Sequence, residues 1–184
     1  MTIMKKFLTI ALMLMLAARL SAQGGITTFL GIPVDGSKPH FIQKMKARGF
    51  RREAKDSNLT GMFEGRPVIA QVFTNKGRVY RVMITDMEAT ADVNEIVWKY
   101  NCLIDSLRNS SEYTEYEWNH YIRETEAPFY EDYIREGYYY AEFFQVNDPE
   151  LYSRRVSFRI SDELGGYRFV TCYDNIYNLP KDDD

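Results

Sequence analysis

The residues of this chain that could do acid–base chemistry are two histidines and a group of glutamates. His40 falls in the first turn of a predicted helix, and His120 falls in a predicted aromatic strand. A catalytic histidine needs an oriented partner, which the sequence supplies around neither. No nucleophile elbow, paired metal-ligand histidines or phosphate-binding loop occurs either. The sequence therefore predicts no catalytic residue, no metal site and no cofactor.

The glutamates cluster in and around a stretch in which Glu alternates with Tyr and Trp. Such a composition is found in sugar-binding sites and glycosidase clefts, which need two carboxyls about 5–10 Å apart. The solvated outer face of a strand shows the same alternation. We expect a non-catalytic binding module, and a small envelope enzyme acting on glycans stays open as the alternative. Its candidate carboxylates are Glu112, Glu115, Glu117, Glu124 and Glu126.

A second face of the predicted sheet is the candidate binding surface. In the strand predicted over residues 153–161, apolar side chains alternate with Arg and Ser, so the polar set faces away from the helices. Arg and Tyr on an exposed face are typical of recognition surfaces, although an ordinary solvated sheet face has a similar composition. The predicted partner-binding residues are Arg155, Arg159, Tyr139, Gln71 and Phe73.

The chain has two cysteines, Cys102 and Cys172. An oxidising compartment permits a disulfide between them. Cys102, however, lies about 160° from the centre of the apolar face of its predicted helix at 3.6 residues per turn. The sequence leaves two alternatives, a Cys102–Cys172 disulfide or two free thiols.

Residues 1–22 have the features of a cleavable signal peptide. Lys5 and Lys6 precede an apolar run over residues 7–18, and small residues lead to a cleavage site between Ala22 and Gln23. The run is shorter than the ~20 residues that span a bilayer, which disfavours a retained anchor helix. No cysteine near the site offers a lipid attachment point. We expect a periplasmic or secreted protein without a membrane anchor after cleavage.

Charge and composition narrow the class of partner. The full chain has a net charge of −3, and removal of residues 1–22 leaves 20 basic and 26 acidic side chains. A net charge of −6 disfavours nucleic acids and anionic membranes as partners. An apolar content of 45% excludes a disordered chain. The expected partner is a protein or glycan in the cell envelope, and the oligomeric state stays undetermined.

Hydrophobic periodicity predicts an α+β fold, an antiparallel sheet with helices packed on one face. A shift of 88 residues superposes Phe41 on Phe129, Gly49 on Gly137 and Gly77 on Gly165. This predicts two helix-plus-meander repeats. The predicted units are a first half at 23–110, which includes a linking helix over 91–109, a second half at 111–178 and an acidic tail at 179–184. In the second half, residues 113–122 are predicted to be a strand.

The start of the mature chain resembles an uncharacterised family of exported bacterial proteins. Residues 29–36 give its F-x-G-I-P-V-x-G segment, Gly49-Phe50 closes a short helix, and residues 59–65 give an L-x-G-x-F-x-G hairpin. The doubled layout is also similar to the β-lactamase-inhibitor-protein and PepSY-like folds. The similarity to these two folds implies an open sheet face presented to protein partners. The resemblance to the exported family brings no known activity and transfers no functional residues.

Overall fold

The computed structural model describes residues 26–52, 58–145, 153–163 and 165–180. It has an α+β fold with three helices, an eight-stranded antiparallel sheet and a small hairpin. The predicted signal peptide, the cleavage pair Ala22 and Gln23, and residues 181–184 of the acidic tail lie outside the described residues. Within the described ranges, no helix is both long and apolar enough to cross a membrane.

The hairpin and the first half of the sheet come first in the chain. They comprise β1 (Thr28–Phe29), β2 (Ile32–Pro33), α1 (Lys38–Ala47), β3 (Arg51–Arg52), β4 (Leu59–Phe63), β5 (Arg66–Asn75) and β6 (Arg78–Asp86). The second part comprises α2 (Val93–Arg108), β7 (Tyr113–Glu115), α3 (Tyr130–Arg135), β8 (Tyr140–Gln145), β9 (Arg154–Ser161) and β10 (Arg168–Asn175). Short 3₁₀ helices cover Glu124–Phe129 and Ile176–Asn178.

The strand order in the sheet is β3-β4-β5-β6-β10-β9-β8-β7. Each half of the chain therefore fills one side of the sheet, and the last strands of the two halves pair in the middle. Val82 lies opposite Tyr173 and Thr85 lies opposite Val170 across this central seam. The antiparallel pairing follows from the short hairpin turns, such as the one at Lys76-Gly77, where both residues have positive φ.

All three helices contribute to cores on one face of the sheet. One core packs α1 and the β1–β2 hairpin on β4, β5 and β6, around Phe29 and Phe41. The other packs α2 and α3 on β8 and β9, around Tyr100, Tyr139 and Phe158. Burying one such aromatic side chain stabilises the fold by about 1.5–3 kcal/mol. Among the described residues, no helix packs on the opposite face.

The linking helix buries one apolar stripe, as its periodicity predicts. In the second half, the buried face of the helix begins one residue later than the 88-residue shift predicts. Asp92 caps α2 by accepting a hydrogen bond from the Asn94 N–H, and Tyr100 and Ile104 are fully buried. The 88-residue shift superposes Phe129 on Phe41, which is buried, but Phe129 is 50% exposed and Tyr130 is buried instead. Phe129 ends a 3₁₀ turn that contains Pro128, so the α-helical face begins one residue later.

The strand predicted over residues 113–122 ends at Glu115. Beyond it, the Asn119 side chain bonds the backbone N–H and C=O of Glu142 on β8 at 2.7 and 2.8 Å. The Asn101 side chain likewise accepts from the Ile122 N–H at 3.0 Å and donates to the Ile122 C=O at 2.8 Å. These amide side chains satisfy backbone groups that a longer ladder would have paired. His120 therefore lies in a loop, and its prediction as a strand residue is wrong.

Candidate binding surface on the open sheet face

The second face of the central strands carries the candidate surface, which we call the open face. Strand alternation and register bring its residues into three rows that run across β5, β6, β10, β9 and β8. Phe73, Arg81, Asp174, Arg155 and Phe144 form the first row. Gln71, Met83, Cys172, Ser157 and Glu142 form the second, and Ile69, Thr85, Val170, Arg159 and Tyr140 form the third.

The first row contains a buried ion cluster around Asp174. Arg81 donates from Nε to Oδ1 at 2.6 Å and from Nη2 to Oδ2 at 2.9 Å. Arg155 donates from Nη2 to Oδ2 at 2.8 Å, and the Asp174 side chain is only 1% exposed. The hydrogen bond with Asp174 raises the pKa of Arg81. Burial opposes the charge of Arg155, but the attraction of Asp174 raises its pKa as well. This Asp174 cluster is satisfied within the protein.

The second and third rows enclose a shallow cavity of about 240 Å³. Ile69, Met83 and Val170 give it an apolar floor, and each pairs with a neighbouring strand of the sheet. Gln71 lines the same cavity and donates to Asn58 at 3.0 Å. The floor of this cavity is therefore apolar, although no described helix covers it.

Two arginines at the edge of this cavity are held only weakly. Arg159 lies 3.5 Å from Glu163, and the side chains are 42% and 70% exposed. Arg168 donates to the carbonyl of Gly165 at 3.5 Å. Exposed pairs of this kind contribute about 0–1 kcal/mol. We call Arg159 and Arg168 the arginine rim, because their guanidinium groups keep donors for a further acceptor.

Four of the five predicted binding residues lie on the open face. Arg159 and Gln71 line the cavity, whereas Arg155 belongs to the Asp174 cluster and Phe73 lies in the same row. The prediction for Tyr139 is wrong, since its side chain is 1% exposed and packs in the helical core. Tyr139 lies just before β8 with its ring towards the helices, and the next residue, Tyr140, places its ring on the open face.

Sequence reasoning missed several residues of this face. Tyr140 donates its hydroxyl to Glu142 at 2.9 Å, and burial raises the pKa of Tyr140 to about 12. Arg81 and Asp174 anchor the first row, and Arg168 completes the rim. Strict alternation of core and open-face residues in β6 would have found Arg81, together with Met83.

Both cysteines are free thiols. Cys102 is exposed on α2, on the helical side of the sheet, and Cys172 lies in the middle row of the open face. The disulfide alternative is therefore not realised in this structure, because the sheet lies between the two residues. Burial raises the pKa of the Cys172 thiol to about 11.

Two of the five glutamates proposed for glycan chemistry, Glu115 and Glu126, have structural partners. Arg108 forms a 2.7 Å ion pair with Glu115. Glu126 binds His120 and a backbone N–H. Burial raises the pKa of Asp86, because it outweighs the attraction of Arg66 at 2.6 Å. Within the described residues, no group of three metal-ligating side chains converges on one point.

Comparison with protein-family models, with curated proteins and with solved structures finds no match for this chain.

Proposed function

We propose that this protein is an exported, non-catalytic binding module whose open face takes up a partner protein of the cell envelope. One observation carries the proposal. A cavity with an apolar floor lies on a sheet face that no described helix covers, and two weakly held arginines form part of its lining. An apolar centre with a charged rim is the usual anatomy of a protein–protein interface.

The arginine rim defines the chemistry of the partner. A guanidinium binds a carboxylate with two parallel hydrogen bonds, and this bond is stronger than the 3.5 Å contact with Glu163. A loop with an apolar side chain next to an Asp or Glu would fill the cavity and pair with Arg159. The predicted signal peptide would deliver the module to the envelope, and the overall negative charge disfavours nucleic acid.

We also propose that the two halves arose from one duplicated unit. The strand order is symmetric about the β6–β10 seam, and Val68 and Val156 are both buried 88 residues apart. Gly49 and Gly137 both follow a helix with positive φ. The two halves would then have diverged in function, because the arginine rim comes from the second half alone.

The test compares Arg159→Glu with Arg135→Glu, which alters an exposed arginine of α3 on the helical side. Biotinylated wild-type protein is cross-linked in envelope fractions, the partner is identified by mass spectrometry, and its affinity is then measured with purified components. We expect Arg159→Glu to weaken binding at least about tenfold, since it replaces attraction with repulsion. Arg135→Glu should bind as wild type does.

If Arg159→Glu binds the partner with unchanged affinity, the proposal that the open face is the binding surface is wrong. Recovery of a glycan in place of a protein would overturn the partner class. The measurement should be repeated at raised salt, because a rim contact loses strength as screening increases.

A further inference from the structure

A second candidate site lies on the helical side of the sheet, away from the open face. The loop before the 3₁₀ turn, the end of α3 and the start of β8 enclose a cavity of about 320 Å³. This volume is at the lower end of those that hold small ligands. We call it the tyrosine pocket, and it is lined by His120, Glu126, Tyr133, Glu136, Tyr138 and Tyr139.

Aromatic rings form a corner in this pocket. Tyr133 meets Tyr138 at a ring distance of 5.3 Å and Tyr139 at 5.9 Å, edge to face in both pairs. His120 stacks on Tyr139 at 5.9 Å. Gly137 has φ +76° and ends the helix, so that the Tyr138 N–H returns to the Tyr133 carbonyl at 2.9 Å. The glycine turn thus fixes the angle between the rings.

Two carboxylates give the pocket its charge. Glu126 is 16% exposed, accepts from the Arg123 N–H at 3.0 Å and lies 2.9 Å from His120. Burial opposes its ionisation, but the bonds from Arg123 and His120 lower its pKa. Glu136 lies exposed at the rim. Among the described residues, no Lys or Arg forms a salt bridge with either carboxylate.

We propose that the tyrosine pocket binds a small alkylammonium ion. The faces of aromatic rings attract a cation, most strongly where it is partly desolvated. The two carboxylates add negative charge with which no described Lys or Arg pairs, and His120 lies 2.9 Å from Glu126. An anion would be repelled by the two carboxylates, and a purely apolar ligand would gain no attraction from them. This site does not depend on the proposed function of the open face.

The test uses choline chloride and its neutral isostere 3,3-dimethylbutan-1-ol, with sodium chloride to match ionic strength. Amide chemical shifts of the ¹⁵N-labelled protein report binding at Gly137 and Tyr138. We expect choline to bind at least about tenfold more tightly than the alcohol. n-Butylammonium distinguishes a primary from a quaternary ammonium ligand, and binding of either supports the proposal.

Substitutions locate the ligand. Tyr138 is 61% exposed, so Tyr138→Ala should fold while it weakens choline binding about fivefold, and Tyr138→Phe should retain binding. Glu136→Gln should weaken it about threefold. Tyr177→Ala, at a tyrosine that is 55% exposed in the 3₁₀ helix Ile176–Asn178, is the control and should have no effect. Equal affinity for the neutral alcohol would overturn the proposal. So would an absence of shifts at Gly137 with both ammonium ions up to their solubility limit.

Discussion

Two arginines, one at each end of the open face, differ in the burial of the carboxylate with which they pair. Arg155 and Arg159 lie four residues apart on the same side of β9, yet Arg155 is engaged with a buried carboxylate and Arg159 has an exposed partner at 3.5 Å. The first is part of the fold, and the second is available to a ligand. Residue type alone does not distinguish a binding arginine from a structural one; what distinguishes them is the burial of the partner.

The largest effect should come from removing the carboxylate of the Asp174 cluster. Asp174→Asn leaves Arg81 and Arg155 half-buried without their counter-ion, and we expect it to lower the free energy of unfolding by about 3 kcal/mol. Urea denaturation measures this loss. Glu163→Gln is the matched control at the other end of the face and should leave stability unchanged. A loss below about 1 kcal/mol would mean that the cluster is solvated like a surface pair.

The reactivity of the Cys172 thiol reports how far the middle row of the open face is buried. Its pKa of about 11 means that the reactive thiolate is scarce at neutral pH and increases with pH. Iodoacetamide should therefore modify Cys172 about a hundredfold faster at pH 10 than at pH 8. Peptide mass spectrometry follows the reaction, and Cys172→Ser identifies the signal. A rate that levels off below pH 9 would contradict the burial of this thiol.

The direct comparison of the two arginines uses the same substitution at both positions. Arg155→Met should destabilise the protein by about 2 kcal/mol, because it removes hydrogen bonds to a charged acceptor. Arg159→Met should change stability by less than about 0.5 kcal/mol. Thermal and urea unfolding of the two variants would measure the difference. Equal losses would show that the two ends of the face do not differ in role.

The smallest effect should be a gain in binding. Glu163 competes with an incoming carboxylate for Arg159, so Glu163→Gln should tighten the complex with the partner about twofold. Titration calorimetry with the purified partner can resolve such a change when it is compared with Glu131→Gln, an acidic residue on α3. Weaker binding by Glu163→Gln would indicate that the partner contacts Glu163 itself.

Much of the sheet could be predicted from the sequence. The strand predicted over residues 153–161 spans Arg154–Ser161, because apolar alternation marks it. The linking helix was predicted over 91–109 and spans Val93–Arg108. These elements were predictable because local preference and burial agree in them.

The predictions fail in two situations. One is where a side chain takes the place of a backbone hydrogen-bonding partner, and the other is where consecutive residues of one type give no alternation to follow. The side-chain amide of Asn119 bonds to the backbone of Glu142 where a strand was predicted, and hydrophobic periodicity cannot reveal such a bond. Three consecutive tyrosines gave no way to tell which one faces the core, and the choice of Tyr139 was wrong. The Asp174 cluster needed knowledge that β6 and β10 are neighbours, which depends on topology rather than on local sequence.

The β6–β10 seam has a consequence for how the chain folds. It joins strands that lie almost half the chain apart, so the entropy of closing a long loop must be lost before the central ladder forms. Chains whose contacts are this distant in sequence fold slowly, often in milliseconds to seconds. Until the seam closes, the unpaired edges of β6 and β10 are exposed to other chains, and this is the stage at which aggregation would compete with folding.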